Sequence, residues 1–219
     1  MGAHDALAIV FTGGDPPDPH DLRGLAGVGA FVIAADSGLH HAQRHGFAVD
    51  VVVGDLDSVT SDALEAAKGA GATVVRHPAD KDATDLELAL LAARARGCTR
   101  VVVVGGGGGR LDHFLANAVL LAAASLAPLA VEARIGGTTI TVVRDQAELI
   151  GAPGDVLTLL ALGGPAAGVT TEGLQFPLHD ETLESGSSRG VSNVFVTSVA
   201  HVLLRHGVLL AIQPRQELS

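Results

Sequence analysis

Two short runs of this chain, residues 31–35 and 101–104, are apolar at every position. Strands with apolar side chains on both faces are covered on both sides, as the strands of parallel sheets are. Stretches with helical spacing separate these runs from three similar ones, and such alternation predicts a parallel sheet with right-handed crossovers. The predicted strands span 6–11, 30–35, 49–53, 73–76 and 100–104, and the predicted helices span 39–45, 62–70, 85–96 and 111–127.

The pattern changes near Pro128, after which β-branched and apolar runs are separated by glycine-rich turns. Closely spaced strands of this kind predict an antiparallel sandwich or barrel. We therefore expect an α/β fold in which an N-terminal, parallel-sheet Rossmann-like domain (1–128) is followed by a C-terminal antiparallel β-sandwich domain (129–219). The strands predicted in the second part span 129–135, 138–143, 155–162, 169–171, 194–199, 202–204 and 208–212, with a polar loop at 181–190.

Charge and composition exclude several classes of protein. The 14 basic and 24 acidic residues give a net charge of −10, which disfavours binding to nucleic-acid phosphates. A single cysteine excludes an internal disulfide framework. The apolar stretch 114–131 is interrupted by Asn117, Ser125 and Pro128, which favours a buried helix ending at Pro128 over a membrane span. With no basic-flanked export signal before the first strand, we expect a cytoplasmic protein with no membrane or nucleic-acid partner.

Acidic residues follow the predicted strands of the α/β part. Because the carboxyl ends of parallel strands meet at one edge of a sheet, where such folds bind ligands, these carboxylates should converge. In an extended segment Asp55 and Asp57 point to the same side, and the local cations are few, namely Lys81 and Arg110. A single aspartate is more often a helix cap, but five at one edge favour a Mg²⁺ site with a phosphate ligand. The five are Asp36, Asp55, Asp57, Asp85 and Asp112.

Five consecutive glycines at 105–109 precede Arg110, between a predicted strand and a predicted helix. Such a run lets backbone N–H groups approach an anion closely. It matches neither the P-loop nor the dinucleotide-binding pattern, and alone it could be a tight turn. With Arg110, Asp112 and His113 directly behind it, a phosphate-binding loop is the favoured interpretation. His41 is expected on the exposed surface of its helix.

Seven short motifs, taken in order, resemble those of the thiamin pyrophosphokinase family over nearly the whole chain. Each motif is short, but their ordered combination is specific. They read ADSG at 35–38, GDLDS at 54–58, DATDLE at 82–87, GRLDH at 109–113, GLQFPL at 173–178, GVSN at 190–193 and GVLL at 207–210.

The resemblance implies an α/β domain followed by a β-sandwich, a homodimer, and Mg²⁺-dependent transfer of the pyrophosphoryl group of ATP to the hydroxyl of thiamin. Asp57 or Asp85 could accept the hydroxyl proton, and the residues do not decide between them. The implied site residues are Asp55, Asp57 and Asp85 for Mg²⁺; Asp57, Asp85 and Asp112 for catalysis; Asp36, Thr84 and Arg110 for the nucleotide; and Ser192 and Asn193 for thiamin across the dimer interface.

The sequence departs from the family pattern at a few positions. Ser37 stands where the family usually has glycine, Val194 stands where an acidic residue is common, and Phe176 is the candidate for an aromatic side chain against thiamin. Two alternatives stay open. One is a related pyrophosphokinase acting on another primary alcohol, such as a hydroxymethylpterin. The other is a non-catalytic nucleotide- or thiamin-binding regulator, which the full set of carboxylates disfavours.

Overall fold

The computed structural model describes residues 6–78, 80 and 82–215, so Lys81 lies outside the described residues. The chain divides into two compact units, Met1–Leu120 with Pro128–Gly137, and Leu121–Ala127 with Thr138–Ser219. This division differs from the predicted boundary at residue 128 in two segments, since Leu121–Ala127 are counted with the second unit and residues 130–135 with the first. Residues 130–135 pair with the sheet of the first unit, so they are counted with it.

The first unit contains a parallel sheet, as predicted. Its strand order, β6-β5-β1-β2-β3-β4, runs outward from β1 in both directions. The direction in which strands are added therefore reverses at β1, with β2 on one side and β5 on the other. Open α/β sheets bind ligands at the carboxyl ends of the strands around such a topological switch point. The strands are β1 (Leu7–Phe11), β2 (Phe31–Ala35), β3 (Val51–Gly54), β4 (Thr73–Arg76), β5 (Arg100–Val104) and β6 (Ala130–Ile135).

Helices cover this sheet on both faces, which explains why its strands are apolar at successive positions. Helices α1 (Gly38–Arg44) and α2 (Ser61–Gly69) contribute to one apolar cluster with alternate residues of β1, β2, β3 and β5. Helix α3 (Asp85–Ala95) packs against β1, β2 and β3. Thr84 caps α3, since its hydroxyl accepts a hydrogen bond from the Glu87 N–H at 3.2 Å.

The fourth helix, α4 (Leu111–Leu121), is shorter than the predicted 111–127 and is not buried, because Leu121 is its one buried residue. A separate single turn of 3-10 helix follows at Ala124–Leu126. Between them the Arg144 guanidinium donates a hydrogen bond to the Ala123 carbonyl at 2.9 Å. A tertiary contact thus occupies a carbonyl that a continuous helix would use, and nothing local in the alanine-rich sequence marks the end.

The second unit is the predicted antiparallel sandwich. Its sheets have the orders β12-β9-β14-β7 and β11-β10-β13-β8, and residues of both, including Leu157, Leu209, Val169 and Ala200, form one apolar core. The strands are β7 (Thr138–Val143), β8 (Gln146–Ile150), β9 (Val156–Ala161), β10 (Ala166–Glu172), β11 (Glu181–Leu183), β12 (Asn193–Val194), β13 (Val199–Leu203) and β14 (Leu209–Gln213).

Three local predictions in this unit are wrong. Strand β8 was not predicted, β11 lies inside the predicted loop 181–190, and the predicted strand 194–199 is a two-residue strand followed by a bend. Strands as short and polar as β11 form because a partner strand supplies their hydrogen bonds. No helix among the described residues has the length and apolar character needed to cross a membrane.

Candidate active site

Three carboxylates meet at the carboxyl ends of β2 and β3. Asp36 directly follows β2, and its N–H donates to the Val53 carbonyl of β3 at 2.8 Å. Asp55 and Asp57 follow β3. One carboxylate oxygen from each of Asp36, Asp55 and Asp57 lies within 4.8 Å of the other two. The structure thus brings together three of the five acidic residues that the sequence placed at this edge.

The backbone route to this cluster differs from the prediction of an extended segment. Leu56 has a φ of 63°, in the left-handed region, while its side chain is buried. The chain therefore turns between the two aspartates, and the Asp57 N–H comes within 3.4 Å of Asp55 Oδ1. Left-handed backbone is uncommon for a leucine and persists where surrounding structure imposes it, often at functional sites.

Asp85 lies beside the same cluster, at the first position of α3. A Cβ placed on Gly54 would come within 3.2 Å of Asp85 Oδ1 and 3.3 Å of Asp36 Cβ. Gly54 also has a φ of 149°, so glycine suits this position both by space and by backbone conformation. The side chains of Asp36 and Asp85 therefore both lie close to residue 54, where any side chain larger than that of glycine would crowd them.

The electrostatics of the cluster fit a bound cation. Asp36 Oδ1 is buried and has no hydrogen-bond partner among the described residues. Burial raises the pKa of Asp36 above its ordinary value, and the charges of Asp85 and Asp55 raise it further. Oxygen donors of this kind are the preferred ligands of Mg²⁺. The predicted metal ligands Asp55, Asp57 and Asp85 thus lie near Asp36, whose buried Oδ1 lacks a hydrogen-bond partner among the described residues.

The glycine run forms a loop that pairs with the segment after β1. The Gly106 N–H donates to the Gly13 carbonyl at 3.0 Å, and the Asp15 N–H donates to the Gly107 carbonyl at 2.8 Å. A Cβ on Gly14, which has a φ of 101°, would clash with the Gly107 carbonyl oxygen. Among the described residues no hydrogen bond uses the N–H groups of residues 107–109. These are the groups left to bind an anion.

His41 is buried, which makes the expectation of an exposed histidine wrong. Its ring Nε2 lies 3.1 Å from the Gly14 carbonyl oxygen, and the side chain is 8% exposed. Burial lowers the pKa of His41 below its ordinary value, which favours the neutral ring. Because a carbonyl oxygen can only accept, Nε2 is the donor in this hydrogen bond. His41, on α1, is therefore hydrogen-bonded to the segment 13–15, which in turn pairs with the glycine run.

Arg110 and Asp112 pair with each other on the surface. The guanidinium Nη2 lies 2.6 Å from Asp112 Oδ2, and Nε lies 3.1 Å from Oδ1. The hydrogen bond from Arg110 lowers the pKa of Asp112 to about 2. Asp112 is exposed and is not part of the three-carboxylate cluster. The structure therefore does not bring Asp112 together with the other predicted carboxylates.

A cleft of about 590 Å³ joins the carboxylates and the glycine loop. This volume falls within the ordinary range for small-molecule sites. Ser37 lies in it against Gly13, where a Cβ on residue 13 would clash with the serine hydroxyl. A glycine at 13 thus accommodates the unusual serine at 37. Six predicted site residues line the cleft, namely Asp36, Asp55, Asp57, Thr84, Asp85 and Arg110.

His113, Phe114 and Asn117 line the cleft from α4. The sequence pointed to His113, directly behind the glycine run, but not to Phe114 or Asn117. Arg76, from β4, places Nη1 3.4 Å from the Asp55 carbonyl oxygen and so adds a positive charge near the acidic turn. His113 and Asn117 are four residues apart on α4, so both face the cleft once that helix is known to border it. No feature of the sequence points to Arg76. Its approach to Asp55 depends on the pairing of β3 with β4.

The remaining predicted residues lie in the second unit. Ser192 is exposed and has a φ of 57°, and its N–H donates to Thr158 Oγ1 at 3.0 Å. Asn193 is buried, and its carboxamide is hydrogen-bonded to the backbone of Phe176. The Phe176 side chain is 55% exposed. The three residues therefore form one local group at the start of β12.

Comparison with known proteins agrees with this architecture. The family model described as the thiamin pyrophosphokinase catalytic domain matches residues 25–131. The model described as the thiamin pyrophosphokinase vitamin B1 binding domain matches residues 138–209. A crystal structure of thiamine pyrophosphokinase from Bacillus subtilis superposes with a TM-score of 0.83 over 97% of this chain and 100% of that one. Its sequence identity is 24%, so this likeness concerns the fold.

Two curated relatives extend the comparison. Thiamine pyrophosphokinase 1 of Arabidopsis thaliana is 27% identical over 173 residues, which cover 70% of this chain and 61% of the plant protein. Thiamine pyrophosphokinase of Bacillus subtilis is 34% identical over 101 residues, 46% of this chain and 47% of that protein. The chain thus spans less than two thirds of the length of either relative. Because both domain models of one family match in order and cover most of the chain, the protein belongs to the thiamin pyrophosphokinase family.

Proposed function

We propose that this chain is a thiamin pyrophosphokinase, which transfers the pyrophosphoryl group of ATP to the hydroxyl of thiamin and releases AMP. The observation that carries the proposal is one cleft lined both by Asp36, Asp55 and Asp57 and by the glycine run before Arg110. Both parts serve phosphoryl transfer, in which catalysis is mainly positioning and charge stabilisation.

In this proposal Asp55, Asp57 and Asp85 hold Mg²⁺, with Asp36 beside them. Bound there, Mg²⁺ would neutralise charge on the phosphates of ATP. The short distances among Asp36, Asp55 and Asp57 support a cation site at this turn, and the buried Asp36 oxygen without a hydrogen-bond partner lies in the same group. Asp85 is assigned because it lines the same cleft beside Gly54. The same carboxylates repel uncomplexed ATP, so we expect activity to require the divalent cation.

The other end of the cleft would hold the triphosphate. Its backbone donors would be the N–H groups of residues 108 and 109, which line the cleft and have no hydrogen-bond partner among the described residues. Arg110 would supply a guanidinium at the same loop. Thr84, the cap of α3, borders the nucleotide in this assignment. Asp112 would act there through its ion pair with Arg110, which holds the guanidinium in place.

The thiamin hydroxyl attacks the β-phosphorus, the bond from that phosphorus to the oxygen of the α-phosphate breaks, and AMP leaves. The hydroxyl proton passes to a carboxylate, for which Asp57 and Asp85 are both placed in the cleft. Thiamin carries a permanent positive charge, and a protein of net charge −10 with an acidic cleft attracts such a substrate.

We also expect Ser192 and Asn193 to contact thiamin across a dimer interface, with Phe176 against its rings, in a cytoplasmic homodimer, as the family resemblance implies. These assignments stay predictions. The mass of the protein in solution, measured by light scattering, tests the dimer directly.

Turnover with Mg²⁺, ATP and thiamin tests the function. Purified protein should release AMP and thiamin diphosphate in equal amounts, and none when a chelator is present. A panel of other primary alcohols, including a hydroxymethylpterin, should give far less AMP. Folded protein that makes neither product would refute the proposal, and binding of both substrates without turnover would point to a regulator instead.

A further inference from the structure

The side chain of Asn193 is joined to the backbone of a residue seventeen positions away. Its Oδ1 accepts a hydrogen bond from the Phe176 N–H at 3.0 Å, and its Nδ2 donates one to the Phe176 carbonyl at 2.8 Å. Oδ1 also accepts from the Val194 N–H at 2.9 Å. The side chain is buried, with 6% of the residue exposed. Both acceptor positions of the amide oxygen and one of the two amide hydrogens are therefore in use.

These bonds extend a short antiparallel ladder. The Gln175 N–H donates to the Val194 carbonyl at 2.8 Å, and the Val196 N–H donates to the Gly173 carbonyl at 2.9 Å. A carboxamide has the same donor and acceptor as a peptide group. Asn193 therefore adds one more rung, at Phe176, where the backbone ladder has ended.

The residue held in this way exposes a large apolar ring. Phe176 is 55% exposed, whereas Phe195, in the same unit, is 1% exposed and belongs to the core. A flat aromatic face in solvent is suited to a planar cation, through stacking and cation–π attraction. The direction in which the Phe176 ring points depends on the backbone of residue 176, and the hydrogen bonds of the Asn193 side chain hold that backbone in place.

We propose that Asn193 is a positioning residue that acts on thiamin through Phe176 rather than by touching it. This inference rests on the proposed function and changes one part of it, the direct contact that the family resemblance assigns to Asn193. The hydrogen bonds of Asn193 hold the Phe176 backbone, and the Phe176 ring contacts the cationic substrate.

A double-mutant cycle separates the two roles. Phe176→Ala should raise the KM for thiamin about 2- to 30-fold, the range that a cation–π contact supports, with the KM for ATP unchanged. Asn193→Ala should raise the KM for thiamin by a similar factor in the wild-type background but by less than about twofold in the Phe176→Ala background, since effects that share one route are not additive. Ser192→Ala, whose hydroxyl is exposed beside the ladder, is the matched control and should give additive effects.

Amide hydrogen exchange gives a readout independent of turnover. The Phe176 N–H should be protected in the wild type and lose protection in Asn193→Ala. It should keep partial protection in Asn193→Asp, which retains the acceptor for that N–H but sets an oxygen against the Phe176 carbonyl. Asn193→Asp should still raise the KM for thiamin.

These experiments distinguish a failure of the positioning role of Asn193 from a failure of the proposed function. In an active enzyme, equal effects of Asn193→Ala in both backgrounds, or unchanged protection of the Phe176 N–H, would overturn the positioning role and leave the proposed function intact. A wild-type protein without turnover of thiamin would overturn the proposed function, and the role of Phe176 with it.

Discussion

Replacing Asp36 by asparagine should make the metal-free protein more stable while weakening its response to Mg²⁺. One carboxylate oxygen from each of Asp36, Asp55 and Asp57 lies within 4.8 Å of the other two. At that distance two unit charges repel by about 3 kcal/mol at an effective dielectric constant near 20, and by about 1 kcal/mol in water. Asp57 is exposed, while Asp36 and Asp55 are half-buried. We therefore expect the free energy of unfolding to rise by about 1–3 kcal/mol.

The gain should depend on pH in a definite direction. Burial, followed by the charges of Asp85 and Asp55, raises the pKa of Asp36 above its ordinary value of 3.8. The folded protein thus holds this proton more tightly than the unfolded chain, so stability falls as the pH rises through the folded pKa. The advantage of Asp36→Asn should be complete at neutral pH and vanish below pH 3.8.

Thermal unfolding followed by far-ultraviolet circular dichroism measures this effect. In chelator at neutral pH the variant should melt roughly 2–12 °C above the wild type, because each kcal/mol shifts the melting temperature of a chain of this length by roughly 2–4 °C. Saturating Mg²⁺ should raise the melting temperature of the wild type more than that of the variant. Glu184→Gln, which removes one charge from an exposed side chain of the second unit, should change neither. An Asp36→Asn protein that melts below the wild type in chelator would refute the reasoning.

Three further predictions concern residues around the cleft. Asp57→Asn should abolish AMP release with an unchanged circular dichroism spectrum, and retained turnover would remove Asp57 from the metal site. Gly38→Ala should lower the free energy of unfolding, measured in urea, by about 1–3 kcal/mol, because its Cβ would clash with the backbone at the end of β1. In the same assay Gly69→Ala, whose Cβ meets no atom within 4 Å, should be neutral or stabilising by up to about 1 kcal/mol. His41→Gln should flatten the pH dependence of unfolding, because the lowered pKa of His41 makes the wild type lose stability as the pH falls below 6.5. Equal slopes for both proteins in that range would contradict the burial argument.

The parallel sheet and its acidic edge could be predicted because both depend on local pattern. Residues 31–35 and 101–104 are apolar throughout, which is typical of strands covered on both faces. Once those strands are known, the parallel topology brings the residues after them to one edge, and Asp36, Asp55 and Asp57 do meet there. The carboxylates of the candidate site could therefore be predicted mainly because they come directly after strands in the sequence.

Short elements were harder because their stability comes from partners far away in sequence. Strand β11 has three residues and exists through its pairing with β10. Helix α4 stops at Leu121 although alanines follow it, and the bond from Arg144 to the Ala123 carbonyl lies just beyond that end. Neither feature has a local signal of periodicity or capping.

By itself, the sequence determined the order of strands and helices, the edge of the sheet that collects charge and the position of the glycine loop, because each depends on residues close together in the chain. Tertiary structure decided the rest. It imposed the left-handed turn at Leu56, buried His41 beneath the Gly14 loop and set the Asn193 amide against the Phe176 backbone. Each of these depends on a neighbour that only folding supplies, since burial and long-range hydrogen bonds arise between segments that are distant in sequence.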